Sequence, residues 1–326
     1  MLEEQFNKII TSYQITSPQK VAIALSGGID SMALLKLMTN CNYQIIALTV
    51  NHNLRASSGR EAAIVAELAQ QLGVEHKILN WQEGKDLDAN IEAIARQARY
   101  NLLTKYCLEN DIKYLFTAHH IEDQAETVLM RLLRGSGVDG LSAMQEISFK
   151  NNINIVRPLL AIHKQELTNY LEQHNIDWVE DPTNQEDKFT RNKLRAILQG
   201  FPEQERILII KRLSDTAFRM QRAKQALDNI SAQIEKSCII VQGNLHSNDR
   251  AYFIRIDEEI ALRILAYLLC KISAQQYKPR FKKLYNCYLA IKNGQYGEHY
   301  LYGCNIKINS DIIYINSVEN IKSHLE

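Results

Sequence analysis

Apolar residues in the first half of the chain follow two alternating patterns. Short, partly β-branched apolar runs are typical of buried parallel strands, whereas apolar residues three or four positions apart indicate packed helices. The predicted strands are residues 21–25, 43–50, 74–79 and 114–118, and the predicted helices between and after them are 32–38, 59–72, 90–109 and about 122–134. This alternation predicts an α/β fold with a doubly wound, mainly parallel sheet.

The second half of the chain changes pattern. Residues 153–160 are a predicted strand that closes the first domain, and the apolar spacing of residues 201–291 is helical throughout. Apolar and polar residues then alternate over 300–308 and 312–315, which predicts short strands. We expect a first domain over residues 1–200, a helical domain over 201–295 and a short β-rich element over 296–326.

Composition narrows the class of protein. The formal net charge of +1 over 326 residues excludes a strong overall attraction to nucleic acid, so any RNA contact must come from local basic patches. Six scattered cysteines give no C-x-x-C pattern, and no stretch approaches the roughly 20 apolar residues of a membrane span. We expect a cytoplasmic protein with reduced thiols, no membrane partner and no leader sequence. The apolar stripes leave a homodimer open.

The turn between the first predicted strand and helix is the first candidate site. It reads Ser26-Gly27-Gly28-Ile29-Asp30-Ser31. Adjacent glycines let the backbone approach a ligand, and a helix N-terminus presents free N–H groups to an anion. An aspartate here suggests a divalent cation between carboxylate and phosphate, although an ordinary turn with a serine cap explains the residues too.

Three further groups of polar or charged residues are candidates for ligand contacts. Asn51, His52 and Arg55 come directly after the second strand, where ligands collect in open α/β sheets. Arg96 and Arg99 share a face of the predicted helix 90–109, which suits bidentate binding of a phosphate, whereas a solvent-exposed helix face is the alternative. The stretch 191–224 holds nine lysines and arginines against three acidic residues, and it is either a solvated helix face or an RNA contact.

A second dense stretch, residues 118–141, begins at the end of the fourth strand. His119 and His120 are followed by Asp123 and Glu126, three residues apart on one helix face, then by two arginines and four glycines or serines at 135–140. So many titratable residues at a strand end mark a candidate site.

These motifs resemble a known family. The SGGIDS turn is similar to the pyrophosphate-binding loop of the N-type ATP pyrophosphatases. The pattern H-x-x-x-D-Q-x-E-T followed by R-x-x-R-G-S-G, together with V-N-H-x-L-R, E-x-x-A-R-x-x-R-Y, R-P-L-L, W-x-E-D-P-T-N and F-T-R-N-x-x-R, resembles the tRNA(Ile)-lysidine synthetase family across residues 20–195. Longer members carry a further C-terminal domain, which we expect this chain to lack or to keep only as a stub.

The resemblance implies ATP and Mg²⁺ as cofactors, and free L-lysine and a tRNA(Ile) with a CAU anticodon as partners. The first domain would be the catalytic PP-loop domain and the helical domain would bind tRNA. Asp30 would hold the metal, and Asp123 and Glu126 would bind the lysine ammonium groups. The resemblance further implies nucleotide binding by the loop 26–31, His52 and Arg55, and catalytic contributions from His119 and Arg191.

The sequence leaves other functions open. A tRNA thiolase uses the same type of loop, but such enzymes commonly need paired cysteines, and none is paired in this sequence. A protein that binds nucleotide or tRNA without chemistry would not need Asp30, Asp123 and Glu126.

Overall fold

The computed structural model describes residues 2–51, 58–81, 91–179, 189–242, 245–275 and 277–318. The helices are α1 Leu2–Ser12, α2 Ile29–Thr39, α3 Ser58–Gln71, α4 Ile91–Glu109, α5 Ile121–Leu133, α6 Val138–Leu141, α7 Lys164–Gln173, α8 Phe189–Gln199, α9 Glu203–Cys238, α10 Arg250–Phe253, α11 Glu258–Ser273 and α12 Phe281–Lys292. The strands are β1 Lys20–Ala24, β2 Gln44–Asn51, β3 Glu75–Asn80, β4 Tyr114–Phe116, β5 Ile147–Lys150, β6 Ile153–Val156, β7 Ile239–Gln242, β8 Leu245–Asp249, β9 Gly297–Leu301, β10 Cys304–Ile308 and β11 Ile312–Ser317.

The first sheet has the strand order β3-β2-β1-β4-β6-β5. Its first five strands run parallel, and only β5 is antiparallel to its neighbour β6. The chain thus winds outward from β1 in both directions, which confirms the predicted doubly wound, mainly parallel sheet. Strands β1 and β4 are neighbours, so their carboxyl ends bring the two dense stretches of the sequence together.

Helices cover both faces of this sheet because alternate residues of β1 point to opposite sides. Val21, Ile23 and Leu25 pack with α1, α2, α3 and α7 in one core. Ala22 and Ala24 pack with α4 in a second core on the other face. Helix α2 is apolar on all sides, and seven of its eleven residues are buried, so the N-terminus of α2 is fixed by packing.

The contacts divide the chain into two compact units, residues 1–221 and 222–326. The second unit contains a five-stranded antiparallel sheet in the order β7-β8-β11-β10-β9. Leu265 and Leu269 of α11, Tyr288 and Ile291 of α12, and Ile306 of β10 are among the residues of its core. The domain boundaries expected at residues 200 and 295 stay predictions.

The expectation of helix throughout residues 201–291 is wrong between 239 and 249, where β7 and β8 form an antiparallel pair. The β-branched run Ile239-Ile240-Val241 favours a strand. The single strand expected over 300–308 is instead a hairpin of β9 and β10, because Tyr302 and Gly303 take left-handed backbone conformations with φ of 59° and 77°. Strand β5 is not among the predicted elements, because its four residues are too few to show a clear pattern in the sequence.

None of the helices in the described part of the chain combines the length and the hydrophobicity that a membrane span requires.

Candidate active site

Residues 26–31, which we call the phosphate loop, join β1 to the N-terminus of α2. Ser31 organises this turn: its Oγ donates to the Gly28 carbonyl at 3.0 Å, accepts from the Ser26 amide at 3.2 Å and lies 3.1 Å from Ser26 Oγ. Ile29, Asp30 and Ser31 form the first turn of α2, whose amides have no acceptors within the helix. The turn is therefore folded around its own serines, and the helix N-terminus stays available to an anion.

The two glycines of the phosphate loop differ in their roles. Gly27 has φ of +85°, and a Cβ at this position would stand 2.3 Å from Val65 Cγ2. Its carbonyl also accepts a hydrogen bond from the Val179 amide at 2.9 Å. Gly28 has φ of −72° as the residue before α2, and its Cβ would meet nothing nearer than Ser26 Oγ at 3.8 Å. Gly27 is required by the fold, whereas Gly28 leaves open space beside the helix N-terminus.

One histidine connects the phosphate loop to the second dense stretch. His120 Nε2 lies 3.6 Å from Asp30 Oδ2 and 3.4 Å from Asp123 Oδ2. Burial alone would lower the pKa of His120, but the carboxylates of Asp123, Glu122 and Asp30 outweigh it and raise this pKa to about 9. His120 is thus an imidazolium that holds Asp30 and Asp123 next to each other. Burial raises the pKa of Asp30 against the charge of His120.

Glu122 fixes the orientation of His120. Its Oε2 lies 2.8 Å from His120 Nδ1 and accepts from the Lys164 amide at 3.1 Å, while its Oε1 lies 2.9 Å from His163 Nδ1. Burial would raise the pKa of Glu122, but hydrogen bonds from His120 and His163 lower it well below its usual range. This carboxylate ties the start of α5 to the start of α7, and the Ile121 amide adds a bond to the Ile162 carbonyl at 3.1 Å.

His119 differs from its neighbour in both contacts and charge. Its Nδ1 lies 3.0 Å from Thr117 Oγ1. Burial lowers the pKa of His119 to about 3; Asp123 opposes this shift, and the charges of Arg157, Arg96 and Arg99 add to it. His119 is therefore a neutral imidazole at physiological pH, able to donate or accept one hydrogen bond but not to supply a positive charge.

Glu126 is buried and bound by an arginine. Arg195 of α8 donates from Nε to Glu126 Oε1 at 2.5 Å and from Nη2 to Oε2 at 3.2 Å. Asp123 and Glu126 thus lie on one helix but face different partners, since Asp123 Oδ2 accepts from the His120 amide at 3.1 Å. A bidentate arginine is a strong and geometrically specific carboxylate partner.

Other residues singled out in the sequence either lie outside the described part or have a structural role. His52 and Arg55 lie outside the described residues, and Arg191 lies in α8 with its side chain outside the described part. Arg131 is structural: its Nη1 donates to the carbonyls of Gly140 at 2.7 Å and Ala143 at 3.2 Å, which fixes the glycine-rich segment after α5.

Glu122 and His163 belong to the site although the sequence does not predict them. An acidic residue in the first turn of a helix, such as Glu122, is explained by the helix dipole alone. His163 lies 41 residues further along, and only the pairing of β4 with β6 brings it close. A usable signal does exist: twice in the chain a histidine immediately precedes a helix and is followed three residues later by an acidic residue.

The donor set at Asp30 fits a magnesium ion. Asp30 Oδ1 is buried and has no hydrogen-bond partner among the described residues. Mg²⁺ is usually held by one or two carboxylates together with substrate phosphates and water. An unpartnered carboxylate oxygen beside a phosphate loop matches that requirement, and in the described ranges no three His, Cys, Asp or Glu side chains form an all-protein metal cage.

Known proteins are similar to this chain in both fold and sequence. A family model described as a PP-loop domain matches residues 1–200. Among solved structures, the U34-tRNA thiolase NcsA from Methanococcus maripaludis with its [4Fe-4S] cluster has a TM-score of 0.53 at 18% identity, covering 66% of this chain and 78% of that one. At this identity the likeness concerns the fold alone.

Relatives of higher identity carry one name, tRNA(Ile)-lysidine synthase. The Wolbachia pipientis wMel protein is 42% identical over 87% of this chain and 66% of its own length. The proteins of Wolbachia sp. subsp. Brugia malayi and Orientia tsutsugamushi are 38% and 37% identical over 96% and 91% of this chain. The chain spans 66–74% of the length of these three relatives. With a PP-loop domain over more than half of its length and relatives aligned along most of it, the chain belongs to the tRNA(Ile)-lysidine synthase family.

Proposed function

We propose that this chain ligates lysine to the wobble cytidine of a tRNA(Ile) with a CAU anticodon, at the expense of ATP. The observation that carries the proposal is the meeting of Asp30 and Asp123 on His120, at 3.6 and 3.4 Å. Asp123, which would bind an amine, thus lies close to the loop that would bind the phosphates. An enzyme that first activates a base with ATP and then adds an amine needs both groups at one place.

The proposed reaction has two steps. The ring carbonyl oxygen of cytidine attacks the α-phosphorus of ATP, and pyrophosphate leaves. The ε-amine of lysine then attacks the activated ring carbon, loses a proton, and AMP leaves with the former carbonyl oxygen. The product is lysidine, which shifts codon reading from AUG to AUA. An anticodon base is single-stranded, so it can leave its stack at a small cost.

The phosphate loop has the groups that the first step requires. Ser26, Gly27, Gly28, Ile29 and Ser31 would hold the pyrophosphate end of ATP against the N-terminus of α2. Asp30 Oδ1 would hold Mg²⁺, which supplies charge compensation for the departing pyrophosphate. His52 and Arg55 stay our candidates for the nucleoside side of ATP.

The second step requires residues that bind and deprotonate an amine. Asp123 and Glu126 are our candidates for the two ammonium groups of lysine. Asp123 lies nearer the phosphate loop through His120, whereas Glu126 is already bound by Arg195, so we assign the reacting ε-ammonium to Asp123. The neutral His119 would donate a hydrogen bond near the α-phosphate, and Arg191 would stabilise charge on the same group.

Two alternatives are less well supported. The thiolase similarity rests on fold alone, and the free cysteines of the described residues, Cys41, Cys107, Cys270, Cys287 and Cys304, form no metal-binding group with neighbouring ligands there. A binding protein without chemistry does not explain why two carboxylates are held next to each other by a charged histidine, since like charges that meet without a function are a net cost. A cytoplasmic location and a homodimer also stay proposals.

The decisive experiment measures incorporation of radiolabelled lysine into RNA. The protein is incubated with Mg-ATP and tRNA(Ile) carrying a CAU anticodon, and methionine tRNA with the same anticodon serves as the control. We expect acid-precipitable label on the isoleucine tRNA alone, with one AMP per lysine. AMP release on other tRNAs without lysine incorporation would instead indicate another PP-loop modification.

A further inference from the structure

Four basic side chains lie near Tyr100 of α4. Arg96 Cζ lies 5.7 Å and Lys150 Nζ 4.7 Å from the Tyr100 ring centroid. Arg99, next to Tyr100 on α4, and Arg157, directly after β6, both interact electrostatically with Tyr100 and Arg96. We name Arg96, Arg99, Lys150 and Arg157 with Tyr100 the Tyr100 cluster.

The charges of the Tyr100 cluster have no acidic partner among the side chains that the structure describes. None of the four basic groups forms an ion pair with a carboxylate there, and Lys150 Nζ instead donates to Gln97 Oε1 at 3.3 Å. Arg157 Nη1 donates to the Gln145 carbonyl at 2.8 Å and to Ser148 Oγ at 2.9 Å, while its Nε is buried and lacks a hydrogen-bond partner in the described part.

Such an arrangement is costly without an anion. Like charges repel strongly where water is scarce, and burial lowers the pKa of both Arg99 and Arg157. An unpaired buried N–H adds a further penalty. Guanidinium groups in a cluster match the geometry of a phosphate, which can accept from several donors at once. The Tyr100 cluster therefore has the chemistry of a phosphate site.

The position of the cluster separates it from the pyrophosphate of ATP. Helix α4 packs on the face of the sheet that carries Ala22 and Ala24, whereas α2 packs on the opposite face. The cluster still lies near the active site, because the charges of its three arginines lower the pKa of His119 at the carboxyl end of β4. Arg96 is the exposed member of the cluster, so a long polyanion that lies across the surface can contact it.

We propose that the Tyr100 cluster binds a backbone phosphate of the substrate RNA close to the modified nucleotide. This inference rests on the proposed function, since it takes the substrate to be RNA. The cluster would recognise a phosphate group, which both the RNA backbone and ATP carry. Binding of an ATP phosphate is therefore the alternative to binding of the RNA backbone.

Arg96→Gln tests the proposal best because the side chain is exposed and its loss spares the fold. Arg99→Gln and Arg157→Lys probe the less exposed part, with thermal melting as a check on folding. Lys105→Gln is the matched control, because Lys105 lies on the same helix, is exposed, and pairs with Glu109 at 3.9 Å. The Kd for tRNA(Ile) is measured at several salt concentrations with full-length protein, alongside the KM for ATP and for lysine.

We expect Arg96→Gln and Arg99→Gln to weaken RNA binding by about tenfold and to reduce the slope of log K against log salt by about 0.7–0.9, the loss of one phosphate contact. The KM for ATP should not change, and Lys105→Gln should bind like the wild type. An unchanged Kd and slope would overturn the proposal, as would a rise confined to the KM for ATP or lysine. Failure of the proposed function shows separately, as a wild type that binds this tRNA without incorporating lysine.

Discussion

Arg195 donates two hydrogen bonds to the buried carboxylate of Glu126, from Nε at 2.5 Å and from Nη2 at 3.2 Å. The pair joins α5, which carries the acidic groups of the site, to α8, which carries Arg191. The position of α8 relative to α5 therefore depends on this pair.

Removing Arg195 should destabilise the protein. Arg195→Ala leaves the Glu126 carboxylate buried without its partner, and because Arg195 itself is 40% exposed we expect a loss of about 1–2 kcal/mol in the free energy of unfolding. Urea denaturation measures it. The double variant Glu126→Gln/Arg195→Ala should recover part of the loss, and strictly additive effects would contradict the coupling.

Substitution by alanine should affect stability at one glycine of the phosphate loop and ATP binding at the other. Gly27→Ala meets Val65 at 2.3 Å and requires a left-handed backbone, so we expect a loss of about 3 kcal/mol in unfolding free energy. Gly28→Ala finds space in the protein, and its methyl group would occupy the path of a phosphate. It should keep the wild-type melting temperature and raise the KM for ATP about tenfold. Equal effects of both variants on stability would refute this division of roles.

Asp30→Asn should lower the rate of AMP formation without affecting folding. Burial already disfavours the charged carboxylate, so the neutral isostere should fold as well as the wild type. Loss of the charge that holds Mg²⁺ should lower AMP formation at least 100-fold. The control is Asp111→Asn, the same change at an exposed position where φ of 56° suits asparagine. Near-normal AMP formation by Asp30→Asn at any Mg²⁺ concentration would remove Asp30 from the mechanism.

The bond between Glu122 and His163 should make stability depend on pH. The lowered pKa of Glu122 means that its contribution is present above 4.5 and is lost as pH falls, whereas the raised pKa of His163 means that its contribution is present below 6.5 and is lost as pH rises past the raised value. His163→Gln should therefore cost most near pH 5.5, about 1 kcal/mol, and least near pH 9. Urea denaturation at both pH values measures this, and a cost that grew with pH would contradict it.

The centre of the first sheet is well predicted from sequence because β1, β2 and β4 are largely buried, apolar strands. The second dense stretch lies next to the phosphate loop because β1 and β4 are neighbours in the sheet. The partner of Glu126 could not be predicted, because the pairing with Arg195 spans 69 residues and depends on how α8 packs on α5. Strands β7 and β8 are missed by the periodicity, because the run Ile239-Ile240-Val241 favours a strand by residue type but is too short to give a periodic signal.

The hydrogen bonds of Glu122 have a consequence for the order in which the protein forms. Its partners His163 and the Lys164 amide lie 41 and 42 residues towards the C-terminus, beyond β5 and β6. During synthesis, the phosphate loop and both histidines that precede α5 leave the ribosome long before those partners do. The orientation of His120, and with it the meeting of Asp30 and Asp123, is therefore completed only when α7 arrives. A nascent chain that ends before α7 has the motifs of the site but not its geometry.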